Sequence, residues 1–491
     1  MKSSQHRSNS LTDKTVKGIH SQTVIVAIKG VLSLSYFSIM SRLLTPDDFG
    51  YFALIAAVTT VLYSLSEAGL GSSVIQKSEI NRDFASTAFT LSLSLGIFFS
   101  VALFVLAQPL SYLVCNSDIL TIAFRIMSST IFIQAANNVT WALYMRKLDF
   151  FRFGILQVTA DFLSYIVGIY FAIEGYGFYA IIAAGVANQV FLSFILLILK
   201  KYQFRIVIIK SYVREIIGYS GWLTASVILR NLTNEIDKVI IGRMLSVADL
   251  GAINRPQGFV SRISTQINGI FDTVLFPILS SIKDDAEKIG RAYIKIVSLV
   301  TTFSLILAIS LSLSAPLIID VFFGPQWIHL QPILIIFSSA LIIHGYSRIA
   351  DSFFRSLGIV RTYFLARLIN WIVFISSVWI GCHYGIIGAS IGMVSGSCLS
   401  CIVKYFMQKK NIGVRTTVLL KSVFENVTFI MVLSICSVCI MQYFNAKYIG
   451  ILFFSMSIIT SMIFFPGLYG RVFQEIVIHR YLKKFRKFRL Y

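Results

Sequence analysis

The chain has 491 residues, of which 56% are hydrophobic and 13% charged, with a mean hydropathy of +0.78. That is far more apolar surface than a soluble core consumes, so a water-soluble enzyme or binding module is excluded and an integral membrane protein is expected. The formal net charge of +21, from 43 Lys and Arg against 22 Asp and Glu, would suit a nucleic-acid binder, but the placement of those charges assigns them to membrane topology.

Residues 1–17 are polar and form a cytoplasmic segment without the pattern of a cleavable signal peptide, so the first span is expected to remain in the mature protein. About fourteen apolar segments follow, each long enough to cross roughly 30 Å of hydrocarbon. The first six, at 18–44, 50–75, 84–107, 118–144, 153–173 and 177–199, make an N-lobe over 18–205. The next six, at 214–241, 248–281, 291–322, 328–354, 359–381 and 385–407, make a C-lobe over 206–410. Two more, at 420–443 and 447–466, occupy 411–466, and a basic cytoplasmic tail covers 467–491. The expected fold class is an all-α polytopic membrane protein of two six-helix lobes plus two C-terminal helices.

Outward loops carry only three basic residues, Arg42, Arg243 and Lys447. Nine more are assigned to span interiors rather than to the inward side: Lys29, Arg125, Arg230, Lys238, Arg255, Arg262, Lys295, Arg348 and Arg367. The rest lie on the inward side, an asymmetry that places both termini in the cytoplasm. The tail from Arg480 to Tyr491 interleaves basic and aromatic residues and reads as a segment lying on anionic membrane lipid rather than one gripping a polynucleotide. Cys115, Cys382, Cys398, Cys401, Cys436 and Cys439 fall in or beside spans, which implies no disulfide framework. In apolar helices the CxxC spacing of the last four merely sets two small residues on one face, and neither a metal nor a cofactor is expected.

Part of the chain is stated twice. Ser41-Arg-Leu-Leu-Thr-Pro-Asp-Asp-Phe-Gly50 returns 201 residues later as Gly242-Arg-Met-Leu-Ser-Val-Ala-Asp-Leu-Gly251. Tyr144–Arg152 resembles Phe353–Arg361, and Gly175-Tyr-Gly-Phe-Tyr179 resembles His383-Tyr-Gly-Ile-Ile387, in the same order. An even number of spans per half makes this a parallel repeat about the membrane normal, a recurrent transporter architecture. In the first pair, Thr45 with Asp48 and Ser246 with Asp249 set a hydroxyl three residues before an acid, the spacing of a capped helix start.

A charge at the bilayer centre costs roughly 2.5 to 3.5 kcal/mol, so nine lipid-facing cations would cost roughly 20 to 30 kcal/mol; most must line a cavity, pair or snorkel. The acids at similar depth are Glu67, Asp161, Glu235, Asp237, Asp272 and Asp351, which leaves a net basic interior. Helical spacing groups His344, Arg348, Asp351 and Arg355 on one stripe, and Arg255, Arg262 and Gln266 on another. It also groups Lys29 with Ser33 and Tyr36, Arg230 with Asn234 and Asp237, and Asp161 with Gln157 and Tyr165. Lys29 and Arg230 are equivalent under the 201-residue offset, so the two halves offer one anionic group a symmetric pair of cations. Lys29, Arg230, Arg255, Arg262, Arg348 and Arg367 are therefore candidates for an anionic headgroup. Glu67, Asp161, Asp237 and Asp351 are candidates for coupling or for charge pairing. The structural alternative pairs Arg348 with Asp351 and Arg230 with Asp237, and lets Arg255 snorkel to the outer interface.

Ser41–Tyr51, Glu67-Ala-Gly-Leu-Gly-Ser-Ser-Val-Ile-Gln76, Asn231–Arg243 and Val274–Asp285 resemble bacterial polysaccharide exporters, or O-antigen flippases, of the colanic-acid and teichuronic-acid branch. The resemblance covers roughly the first 410 residues; it departs at Ala252-Ile253, where relatives carry paired tyrosines. It implies the multidrug/oligosaccharidyl-lipid/polysaccharide flippase superfamily, with two lobes around a cavity. The implied activity is transfer of an undecaprenyl-diphosphate-linked oligosaccharide from the cytoplasmic to the periplasmic leaflet of the inner membrane. Polysaccharide polymerase and chain-length machinery are the implied partners. A cation-coupled drug exporter of the same superfamily would want an acidic or apolar cavity, and a membrane glycosyltransferase or polymerase would want a sizeable polar loop. An ATP-driven pump would want a GxxxxGK[ST] loop, which this chain lacks.

Overall fold

The structure is a computed structural model and describes residues 25–412 apart from 68, 78–79, 148, 200–203, 282–285 and 357–359. The spans predicted at 420–443 and 447–466, Cys436, Cys439 and both polar ends lie outside the described residues. So do the side chains of Gln266 and Arg355, which close two of the predicted stripes, and those of the 274–285 motif.

The described chain is helical: α1 (Ile25–Leu43), α2 (Pro46–Glu67), α3 (Leu70–Gln76), α4 (Arg82–Val105), α5 (Ala107–Cys115), α6 (Thr121–Arg146), α7 (Phe150–Ile173), α8 (Tyr179–Leu199), α9 (Lys210–Met244), α10 (Val247–Ser281), α11 (Ala286–Leu313), α12 (Ala315–Ile318), α13 (Gln331–Ser356), α14 (Val360–Cys382) and α15 (Gly385–Ile412). Among the described helices, 10 are long and apolar enough to cross a membrane. α9 and α10, at 35 residues each, have the length but carry too many charges to read as lipid-facing spans. Helices of that character belong on the protein-facing side of a bundle, where polar groups find partners.

Two predicted spans are interrupted. The segment 50–75 ends at Glu67 and resumes as α3, and 291–322 breaks after Leu313, where Pro316 sits in the first turn of α12 and cannot continue the preceding ladder. Elsewhere the helices accommodate a hydroxyl-rich sequence by turning polar groups back on their own backbone. Thr59 Oγ1 donates to Ile55 O (2.9 Å), Ser64 Oγ to Thr60 O (2.7 Å) and Thr302 Oγ1 to Ser298 O (2.7 Å). Large apolar side chains point outward instead: Phe98, Val101 and Val105 on α4, and Phe194, Leu197 and Ile198 on α8. An exposed apolar belt suits hydrocarbon as solvent.

The described part divides into two compact units. The first comprises the chain up to Arg255 with Phe322–Gly324 and Val378–Ala389; the second comprises Pro256–Val321, Pro325–Ser377 and the chain from Ser390. In the first, α4 packs on α6, α7 on α8 and α2 on α9, and Leu70 and Val74 of α3, Phe84 and Ala88 of α4, Val139 of α6 and Ile216 of α9 form one buried cluster. Ser92 Oγ and Ser100 Oγ of α4 donate to Ala135 O (2.8 Å) and Ser128 O (2.7 Å) of α6, satisfying hydroxyls across the helix pair. In the second, α11 packs on α13 around Tyr293, Val297, Val300, Ile349 and Phe353.

Candidate functional site

The paired motifs are a structural contact in the first unit. Thr45 Oγ1 donates to Asp48 Oδ2 (2.7 Å) and Thr45 N to the same oxygen (2.9 Å), while Ser246 Oγ donates to Asp249 Oδ2 (2.7 Å). Both copies therefore start a helix, α2 and α10, with the expected hydroxyl–acid cap. The glycines that end the motifs bring those helix starts together. A Cβ on Gly50 would sit 1.9 Å from Val247 O, and one on Gly251 would sit 1.8 Å from Pro46 O. Only hydrogen fits in either place. The third pair is equivalent too: Gly177 (φ 56°) and Gly385 (φ 73°) occupy matching turns in the left-handed conformation.

Two predicted stripes of the first unit meet face to face. Lys29 Nζ on α1 donates to Gln157 Oε1 (2.9 Å) and lies 3.5 Å from Asp161 Oδ2, both on α7. Asn188 Nδ2 of α8 donates to Asp161 Oδ1 (2.7 Å), and two turns along α1 the Tyr36 ring stacks on Tyr165 at 4.2 Å. The Lys29 and Asp161 side chains remain 30% and 25% accessible, so this pair is reachable as well as bonded. Elsewhere in this unit, Gln134 Nε2 donates to Glu67 Oε1 (3.0 Å), and Asn231 Nδ2 of α9 donates to Ser64 Oγ of α2 (2.6 Å). On α9, Arg230 and Asn234 are exposed while Asp237, on the same face, is buried; its Oδ1 accepts from Lys238 N (2.9 Å). Lys238 itself pairs with Glu235.

Arg255 does not snorkel. It is buried on α10, with its guanidinium 3.7 Å from the Phe37 ring centre and 3.6 Å from that of Phe49. Its Nη2 donates to Phe37 O (2.9 Å) and to Ser41 Oγ. Two aromatic faces and a backbone carbonyl replace the hydration that snorkelling would have supplied.

In the second unit Asp351 holds two cations. Arg367 Nη2 of α14 lies 2.7 Å from Asp351 Oδ2, and Lys404 Nζ of α15 lies 3.0 Å from Oδ1. Arg367 also donates to Tyr363 OH (2.8 Å), Lys404 to Ser347 Oγ (2.5 Å), and Gln408 Nε2 to Ala350 O (2.7 Å). Lys404 is only 3% accessible, and the triad carries one positive charge in excess. Arg348, one turn before Asp351, is exposed, as is Arg262 on α10. Lys404 is the residue that sequence reasoning missed. The sequence counts it with the inward cations; its i, i+4 relation to Gln408 at the end of the 385–407 run was the available signal. Cys401 donates its thiol to Ile343 O (3.5 Å), an ordinary interhelical contact.

Long apolar helices with ion pairs buried among them define a multi-pass membrane protein. A family model described as polysaccharide biosynthesis protein matches residues 39–332, and the chain belongs to that family. It is similar to the lipopolysaccharide biosynthesis protein WzxC of Escherichia coli strain K12, 23% identical over 411 residues that make up 82% of each chain. It is also similar to the succinoglycan biosynthesis transport protein ExoT of Rhizobium meliloti strain 1021, 24% identical over 317 residues, 63% of each chain. Among solved structures, the fold matches lipid II flippase MurJ in an inward closed conformation with a TM-score of 0.71 at 15% identity, covering 91% of this chain and 99% of that one.

Proposed function

We propose that this protein is a flippase that moves an undecaprenyl-diphosphate-linked oligosaccharide repeat unit from the cytoplasmic to the periplasmic leaflet of the inner membrane. The product feeds surface polysaccharide synthesis, as O-antigen, capsule or exopolysaccharide. The observation that carries the reading is the excess of cations among the charges inside the apolar helices: Asp351 answers two of them, and Lys29 stays accessible beside Asp161. A diphosphate entering a low-dielectric cavity needs such groups, Arg for bidentate donation and Lys as a point charge, while its prenyl tail stays in lipid. A cationic drug would be repelled by the same interior. WzxC, ExoT and MurJ are named as a lipopolysaccharide biosynthesis protein, a succinoglycan biosynthesis transport protein and a lipid II flippase, which supports the assignment.

In this mechanism the N-lobe, 18–205, and the C-lobe, 206–410, rock about a central site, with both termini cytoplasmic and two further spans following. Lys29, Arg230, Arg262, Arg348 and Arg367 engage the headgroup. Arg255, held by Phe37, Phe49 and Ser41, has a bracing role instead. Asp161 and Asp351 exchange partners as the anion arrives, since a phosphate competes for the same Lys and Arg donors. Glu67 and Asp237 hold polar pairs within the bundle. A polymerase and chain-length proteins take over the flipped unit.

The test is complementation of a strain lacking this protein with wild type, Lys29→Ala, Arg230→Ala and Arg348→Ala at matched membrane abundance. Loss of surface polysaccharide with prenyl-linked precursor accumulating inside is expected for each. Full export by all three would assign those charges to structural pairing and overturn the headgroup site.

A further inference from the structure

A second cluster of cations, none of them among these residues, lines a cleft of about 270 Å³ in the first unit. Arg82 begins one apolar span and Arg146 ends the next, so the cleft sits where two spans leave the hydrocarbon on the basic side of the chain. It is walled by Asn81, Arg82, Leu143, Arg146, Lys147 and Phe204, and none of its lining residues among those described is acidic.

The cleft is built rather than incidental. Arg146 donates to the carbonyls of Val74 (3.3 Å), Ile75 (3.2 Å) and Lys77 at the end of α3, which fixes its guanidinium. Asn81 caps α4, accepting from Phe84 N (2.8 Å), and its Nδ2 donates to Tyr212 OH (2.7 Å). Phe204 stacks on Phe89 with ring centres 4.6 Å apart. It begins an extended stretch held along α4, where Arg205 N donates to Ser86 Oγ and Val207 N to Thr90 Oγ1, both 3.2 Å. Ser86 and Thr90 are one helical turn apart, matching alternate amides of the stretch. The residues between and after those amides, Ile206 and Ile208, are 79% and 59% exposed.

A described lining with three cations and no carboxylate suits an anion. Beside them lies an exposed apolar strip at the level where acyl chains begin. We propose that this cleft binds the phosphodiester headgroup of an anionic phospholipid from the inward leaflet. Arg82, Arg146 and Lys147 donate to the phosphate, and Phe204, Ile206 and Ile208 lie along the acyl chain. Basic pockets on the cytoplasmic side of membrane helices are suited to such headgroups. The lipid is a resident ligand rather than cargo. It ties the loops after α3 and α6 to the stretch after α8, and its binding is independent of what the protein transports.

The experiment is native mass spectrometry of the full chain released from detergent micelles containing phosphatidylcholine and titrated with phosphatidylglycerol. Wild type is expected to retain phosphatidylglycerol in preference to phosphatidylcholine. Arg82→Gln with Lys147→Gln, which leaves the Arg146 cap intact, is expected to bind it roughly thirtyfold more weakly, at about a factor of five per cation near an anionic surface. The conservative pair Arg82→Lys with Lys147→Arg should retain it within a few-fold. If the double Gln variant fails to fold, Lys147→Gln alone, about fivefold weaker by the same reasoning, decides. Equal retention by wild type and the folded Gln variant would overturn the proposal. So would displacement of bound lipid by inorganic phosphate with no preference between the two lipids, which would make the cleft a site for free phosphate.

Discussion

Asp351 compensates Arg367 and Lys404 with a single carboxylate, which makes it the most exposed point of failure among the buried charges. Replacing it by Asn keeps the shape and strands two cations, and breaking a buried pair in this way costs roughly 3 to 5 kcal/mol. Asp351→Asn should therefore lower the unfolding midpoint in detergent clearly. Adding Lys404→Met should recover part of the loss, because one stranded charge is removed. A single variant as stable as wild type would show that the triad is not a structural unit. At Arg255 the expected effect depends on shape more than charge. Arg255→Lys keeps the cation but loses the flat guanidinium between Phe37 and Phe49, so stability should fall by about 1 to 2 kcal/mol in denaturant titration. Asp351 and Arg367 were both legible in the sequence as charges within spans. Lys404 was not, because a lysine near the end of an apolar run reads equally as an interfacial anchor. Arg255 was visible as a charge, but the two rings that bury it come from α1 and α2, more than 200 residues earlier.

At the scale of elements, the repeat turns into a contact between the first turns of α2 and α10. Gly50 and Gly251 allow backbone to approach backbone, and a methyl group at either would overlap a carbonyl oxygen. Gly251→Ala should separate the helix starts and reduce export severely. Gly258→Ala, on the same helix with open space at its Cβ, should leave export unchanged at equal abundance. Equal export by both variants would mean the close approach has no role. The spacing of Thr45 with Asp48 and of Ser246 with Asp249 announced both helix starts, since capping is local chemistry. That the two starts touch was not announced, since no local rule brings residues 201 apart into register. The meeting of the Lys29 and Asp161 stripes is similar: each stripe followed from helical period, but their facing required the packing of α1 on α7.

At the scale of the molecule, the rocking proposed above would open the contact between α2 and α10 once per cycle, and a cross-link there tests it. Cysteines introduced at Asp47 and Ala248 in a cysteine-free background, next to the residues in backbone contact, should cross-link readily. Oxidation should then stop export and reduction should restore it. Export at full rate by the cross-linked protein would exclude rocking as the transport step.

Membrane class, the approximate spans, the basic bias of one side and the capped repeat were determined by the sequence itself, because hydropathy, charge count and capping act over a few residues at a time. The tertiary structure decided which cations are reachable and which are consumed. It enclosed Arg255 between two rings, gave Asp351 to Arg367 and Lys404, left Lys29 bonded yet accessible, and gathered Arg82, Arg146 and Lys147 around one cleft. The physical reason is that the worth of a charge in a membrane protein depends on its neighbours in space, and those come from helices far apart in the chain.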